Sequence, residues 1–442
     1  MIPILIQNVI TNFVSLLDNV MVGRLGTEPM SGVAIVNQII FVFNQCVFGG
    51  LAGAGIFTAQ YFGKGDSEGV RQTVRTKLYI AAFIIAAGFT IISSFGSSLV
   101  SLFIHEGEQN LDLAATHGFA MEYLRVVIWQ LPLFALMTVY SGTLRETGET
   151  KLPMVAGIIA VFVNLTGNYI LIYGKLGAPA LGVTGAALAT LAARIVECGI
   201  VIIYPHANLR RFTYLQGLFS SLRVPGRLFA EIGKKGMPLM INELLWSGGM
   251  TTLNQIMSQR GLEAVSAENI ASTVSNLFFC AFFATGSTVA IMVGQLLGAG
   301  KLEEAVDENR KIAAFSVAVS AAVGIVMLFA APYIPRVYNT TPAVKSLAAS
   351  MIVVNAIMMP SNAFTNASFF ALRSGGRVWI TFLYDSVYIW VLSIPVSLAL
   401  VKFTSLAIIP IYAISYGLDI VKCISGYILV KKKIWVRNLV SD

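Results

Sequence analysis

The sequence predicts an all-α integral membrane protein: twelve transmembrane helices in two pseudo-symmetric six-helix bundles. Three observations carry this. The 442-residue chain is 56% hydrophobic and only 12% charged, against about 25% charged in soluble domains. Its apolar residues gather into twelve runs, each long enough to cross a bilayer. Its second half also repeats its first in register.

A span needs roughly 20 mostly apolar residues. The runs fall at about 2–22, 33–58, 78–104, 118–142, 153–174, 180–204, 237–258, 270–297, 312–335, 346–371, 378–401 and 406–430. None shows the alternation of a barrel strand. The 39 glycines suit close helix packing in lipid. Mean hydropathy is +0.76.

The basic residues set the orientation. With the N-terminus inside, 21 of the 30 Lys and Arg fall in inner loops and the C-terminal tail, and 6 in outer loops. Positive loops face the cytoplasm, so both termini are expected there, in an inner (plasma) membrane. The same bias accounts for the net charge of +8. Basic loops meet anionic lipid, so membrane lipid is an expected partner and nucleic acid is not. Cys46, Cys198, Cys280 and Cys423 form no C-x-x-C pair, and no redox or zinc motif follows.

Sliding residues 3–75 forward by 235 aligns Pro3 with Pro238, Gly26 with Gly261, Gln60 with Gln295, Gly63 with Gly298 and Gly65 with Gly300. An offset of 228 aligns Leu144 and Arg145 with Leu372 and Arg373, Gly148 with Gly376, and Arg194 with Lys422. Six spans per half bring both halves in from the same side, the parallel repeat of many transporters. The expected organisation is residues 1–204 as one bundle, 205–236 as a cytoplasmic linker, and 237–442 as a second bundle with a basic tail.

Asp18 lies inside the first apolar run. A charge at a helix centre costs about 2.5–3.5 kcal/mol on insertion scales. Asp18 is therefore either an interfacial carboxylate, or one paired with Arg24, or part of a cation site inside the N-terminal bundle. Asn164 and Asn168 are four apart and share one helix face; they serve either that site or interhelical hydrogen bonding. Arg194 with Glu197, and Asp419 with Lys422, are spaced to neutralise each other locally. No Walker A sequence is present, so direct use of ATP is not expected.

Several stretches together carry a family likeness: Pro3, Asp18, Gly23 and Gly26 in the first span, AQYFGKGD at 59–66, LRETGETK at 144–151, NLTGNYILIYGKLGAP at 164–179, GVTGAALAT at 182–190 and GQLLGAGK at 294–301. In these the chain resembles the multidrug and toxic compound extrusion (MATE) family over essentially its whole length. The resemblance implies a secondary active exporter, not an enzyme. It would antiport small amphipathic or cationic organic compounds against Na⁺ or H⁺ by rocking two bundles. No cofactor beyond the coupling ion is implied, and a monomer is expected. Asp18, Asn164, Asn168 and Thr190 match positions that form a cation site in the family. One carboxylate with neutral oxygens suits a hard monovalent ion, and a desolvated carboxylate also accepts a proton. Some relatives carry a second carboxylate where Asn168 stands.

The family's seventh-helix glutamate falls on Trp246, with Glu243 one turn earlier on the same face, and its tenth-helix carboxylate falls on Asn362. Glu243, Trp246 and Asn362 are thus the expected substrate-binding residues. A flippase for lipid-linked saccharides is the alternative; it would call for a cationic cleft, whereas the buried candidates here are acidic.

Overall fold

The computed structural model describes residues 2–103, 112–338 and 340–441, and no strand occurs among them. The first half contains α1 (Ile2–Gly23), α2 (Thr27–Lys64), α3 (Ser67–Phe103), α4 (Leu113–Val127), α5 (Gln130–Glu146), α6 (Lys151–Tyr173) and α7 (Gly182–Ala207). The second contains α8 (Gly226–Ser258), α9 (Leu262–Gly298), α10 (Leu302–Ala330) and α11 (Pro342–Ser374). It ends with α12 (Val378–Phe382), two π-helical stretches (Leu383–Val387 and Ile389–Ser393), α13 (Ile394–Phe403), α14 (Ile408–Gly417) and α15 (Asp419–Lys431).

Among the described residues, nine helices are by themselves long and apolar enough to cross a membrane. Two of these are the composite helices Val378–Phe403 and Ile408–Lys431. A tenth span is α4 with α5, bent by 49°. The helices α1 and α8 occupy the remaining two apolar runs. The single span expected at 118–142 is thus a broken one. Pro132, the third residue of α5, explains the break: it donates no N–H, and its ring crowds the carbonyl of Ile128 four residues back.

The repeat has a backbone cause. Gly26 and Gly261 have φ of 130° and 114°, Gly65 and Gly300 79° and 76°, and Gly148 and Gly376 85° and 68°. Each pair turns the chain from one helix to the next through a conformation that side chains with a Cβ resist. The glycines that align the two halves are the ones that make the same turns in both.

Packing divides the chain into two compact units. One holds Ile6–Thr58 and Ser67–Gly236; the other holds Met1–Leu5, Ala59–Asp66 and Met237–Asp442. In the first, Leu131, Val139 and Leu144 of α5 are buried with Ile172 and Ala187. In the second, one apolar cluster gathers around Met327, Met351, Met359 and Tyr412, and another around Val293, Leu297, Leu372 and Trp435.

The connection after α7 is not a loose tether. Phe212, Tyr214, Leu215 and Leu218 are buried. Arg75 donates from Nε to the carbonyl of Leu218 and from Nη2 to that of Gly217, each at 2.9 Å. The Tyr214 hydroxyl lies 3.1 Å from that of Thr147. The aromatic and leucine anchors in 208–225 fasten this segment to the first unit.

Candidate functional site

Within the first unit, α1, α6 and α7 converge on Asp18. Asn168 donates from Nδ2 to Asp18 Oδ1 at 2.6 Å. The same amide reaches Asn164 Oδ1 at 3.3 Å, as the four-residue spacing on α6 requires. Asn164 in turn donates from Nδ2 to Thr190 Oγ1 on α7 at 3.3 Å. All four expected residues, Asp18, Asn164, Asn168 and Thr190, therefore form one chain of side-chain contacts. Asn164 and Asn168 are buried, and Asp18 is half-buried.

Close helix approach makes this possible. Gly167 sits between the two asparagines, and a Cβ there would come within 2.9 Å of Ala189 Cβ, next to Thr190. Small residues at such crossings let helix backbones draw together in lipid. Tyr173, one turn past Asn168, donates its hydroxyl to the carbonyl of Met21 at 2.8 Å and holds the end of α1 against α6. The helix α1 stops at Gly23, and Gly26 lies in the turn beyond it.

The site has the donors a hard cation wants. Asp18 supplies a carboxylate, Asn164 and Thr190 neutral oxygens, and Asn168 Oδ1 is buried with no hydrogen-bond partner among the described residues. A buried acceptor without a donor is costly, and a small cation or a proton-bearing group beside it would remove that cost.

Two neighbours were not expected from the sequence. The hydroxyl of Tyr123 on α4, a buried side chain, hydrogen-bonds Thr190. Arg194 pairs with Glu197 at 2.7 Å, as its spacing predicts, but its guanidinium also acts electrostatically on Asp18. It lies over the Phe134 ring as well, 5.5 Å from the centroid. A tyrosine in an apolar helix carries no sequence signal that separates such a role from packing.

In the second unit, Glu243 on α8 lies 3.7 Å from Arg373 Nη1 at the end of α11. Among the described residues, the side chains of Trp246 and Asn362 make no hydrogen bond to it. Both are half-buried, and the Asn362 carbonyl accepts from Thr365 Oγ1 at 2.9 Å. The pair expected within α15 is not the pair formed. The ion pair of Lys422 is with Asp385 at 2.6 Å, because the π-helical stretch 383–387 presents that carboxylate to α15, while Asp419 acts on the ammonium electrostatically. No group of three or more His, Cys, Asp or Glu able to hold a metal occurs among the described residues; a site of one carboxylate with amide and hydroxyl oxygens is a different donor set.

The MatE family model matches residues 3–170 and 238–399. The chain is 27% identical to the "Probable multidrug resistance protein NorM" of Thermotoga maritima, over 92% of this chain and 85% of that protein. It is 28% identical to the "Multidrug resistance protein PmpM" of Pseudomonas aeruginosa, over 90% and 82%. A solved outward-facing multidrug resistance MATE family transporter of the MOP superfamily superposes with a TM-score of 0.86 at 19% identity, covering 98% of this chain and 94% of that one. A Vibrio cholerae MATE transporter variant does so with 0.86 at 18%, covering 99% and 96%.

Proposed function

The chain belongs to the MatE family of transporters, and from that premise we propose that it is a secondary active multidrug exporter. It carries small amphipathic or cationic organic compounds outward in exchange for Na⁺ or H⁺ moving inward. The observation that carries the reading is the contact of Asn168 with Asp18, with Asn164 and Thr190 beside it and a buried oxygen of Asn168 that has no hydrogen-bond partner among the described residues. The names of the NorM and PmpM relatives support export of drugs.

The cycle we infer runs as follows. The carboxylate of Asp18 takes up the coupling ion, its charge is neutralised, and α1 repacks. That biases the equilibrium between two arrangements of the bundles 1–204 and 237–442, joined through 205–236. Substrate meets Glu243, Trp246 and Asn362. The protein works as a monomer in the plasma membrane, surrounded by lipid, with both termini in the cytoplasm. It needs no cofactor beyond the ion.

One entering cation is a sufficient drive. The membrane potential supplies about 2.3 kcal/mol per charge per 100 mV, and a tenfold gradient costs about 1.4 kcal/mol. For a neutral substrate that is roughly one and a half decades per 100 mV. For a monovalent organic cation, one-for-one exchange is electroneutral, and the ion's concentration gradient drives it.

Accumulation of a fluorescent organic cation in everted vesicles, with Na⁺ and pH gradients imposed separately, tests the proposal. Asp18→Asn should abolish gradient-driven accumulation while leaving the protein folded and inserted, since it removes a costly charge. Accumulation at the parent rate under either gradient would overturn it.

A further inference from the structure

The second unit holds a carboxylate to which the cycle above gives no task. Asp385 sits in the π-helical stretch Leu383–Val387, a winding that is rare and frequent at functional sites. Both of its oxygens are engaged. Lys422 Nζ bonds Oδ1 at 2.6 Å, and Asn242 Nδ2 donates to Oδ2 at 3.1 Å. Asn242 is fully buried and is itself fixed by Ser386, whose hydroxyl donates to both its backbone and side-chain oxygens at 2.8 Å. The Lys422 ammonium also lies over the Tyr384 ring, 5.3 Å from the centroid. Asp419 adds a second negative charge acting on it.

A carboxylate and an aromatic face are what recognises an organic ammonium ion, and the Asn242 amide, a donor here, holds that carboxylate in place. Here the ammonium belongs to the protein. A scaffold reading holds that the pair only neutralises charge in the membrane. Three observations speak against that reading as sufficient. An ion pair out of water seldom improves stability over apolar residues of the same size. Asp385 and Lys422 each keep an accessible edge, with side chains 13% and 14% exposed. The repeat also places Lys422 where Arg194 stands in the first half, and Arg194 acts on Asp18 beside the candidate cation site. The second unit thus answers the first with a carboxylate whose cation is built in.

We propose that Asp385, with Tyr384 and Asn242, is a binding site for the protonated amine of a substrate, and that Lys422 is its tethered occupant, displaced when substrate binds. This rests on the export reading for its role in transport, but not for binding. Neighbouring Glu243, next to Asn242 on α8 and paired with Arg373, lies close enough for the arrival of a cation to be felt at both carboxylates.

The test is equilibrium binding of a dansyl-labelled pentylamine, and of its neutral N-acetyl derivative, to purified protein in detergent. Lys422→Gln removes the tethered competitor and should bind the amine about tenfold more tightly than the parent, with the N-acetyl derivative unchanged. Asp385→Asn and the double variant Asp385→Asn/Lys422→Gln should bind the two compounds alike. Melting temperatures read folding in parallel, and the double variant, which removes both charges of the pair, guards against misfolding of the single ones. Amine binding by Lys422→Gln no tighter than the parent's, or an amine preference retained without Asp385, would overturn the proposal. Because binding is read without a gradient, failure of the vesicle assay would sink the export reading and leave this result standing on its own.

Discussion

Asn168 gives its side-chain amide to Asp18 across 2.6 Å while its own side-chain oxygen stays buried without a hydrogen-bond partner among the described residues. On the proposed ion site, one residue both restrains the carboxylate and offers a second oxygen to the ion the carboxylate would take up. Asn168→Ala removes both functions. If Na⁺ is the coupling ion, the concentration for half-maximal export should rise about tenfold, one ligand being worth on the order of 1–2 kcal/mol. Proton-driven export should change little. Export kinetics against Na⁺ at fixed pH, then against pH without Na⁺, check this; an unchanged Na⁺ response would remove Asn168 from the ion's shell.

Lys77 on α3 is 1% exposed and pairs with Glu146 at the end of α5, with Thr143 Oγ1 accepting a further bond at 3.0 Å. Breaking a buried pair from one side leaves an uncompensated charge and costs about 3–5 kcal/mol. Lys77→Met should therefore lower the melting temperature in detergent sharply, and adding Glu146→Leu should restore most of the loss. A double variant no more stable than the single one would show that the pair is not the cause.

On the orientation we propose from the basic bias, 59–77 and 205–236 lie on the cytoplasmic side. Ser67 at the start of α3 and Ser221 in the docked connection are both exposed. Single cysteines at these positions, in a background without Cys46, Cys198, Cys280 and Cys423, should resist a membrane-impermeant thiol reagent added outside intact cells and react once the membrane is opened. Ready labelling from outside would invert the orientation.

What could be read from the sequence was what depends on local spacing. Asn164 and Asn168 had to share a face because α6 is a helix, and Asp18 stood out because a carboxylate in an apolar run is costly. Arg194 and Glu197 met as their separation predicts. Contacts made by packing were not legible. Lys422 is three residues from Asp419, yet it bonds Asp385, 37 residues away in sequence, because the crossing of α15 with the π-helical stretch decides the partner. Arg373 beside Glu243 depends likewise on how α8 meets α11. Pro132 was visible as a residue, but the 49° bend it permits was not.

The last eight described residues form a strap rather than a free tail. Gln60, fully buried on α2, donates from Nε2 to the carbonyls of Ser374 at 2.9 Å and Arg437 at 3.3 Å, and accepts from the Leu439 amide at 2.7 Å. Lys64 bonds the Val440 carbonyl at 2.8 Å, Arg377 Nε that of Ile434 at 2.9 Å, and Asn438 Nδ2 that of Gly298 at 3.2 Å. Trp435 is fully buried in this set, and a Cβ on Gly375 would collide with its carbonyl. Loss of a buried tryptophan typically costs about 3–5 kcal/mol. Trp435→Ala should therefore destabilise the protein by that order in detergent, and Gly375→Ala should do so through a different cause, displacement of the Trp435 backbone. Cutting the chain after Lys433 leaves the polar atoms of Gln60 without Arg437 and Leu439, so the truncated protein should melt lower still. Melting temperatures of the three variants check the assignment. A truncated protein as stable as the parent would show that the strap contributes nothing to the fold.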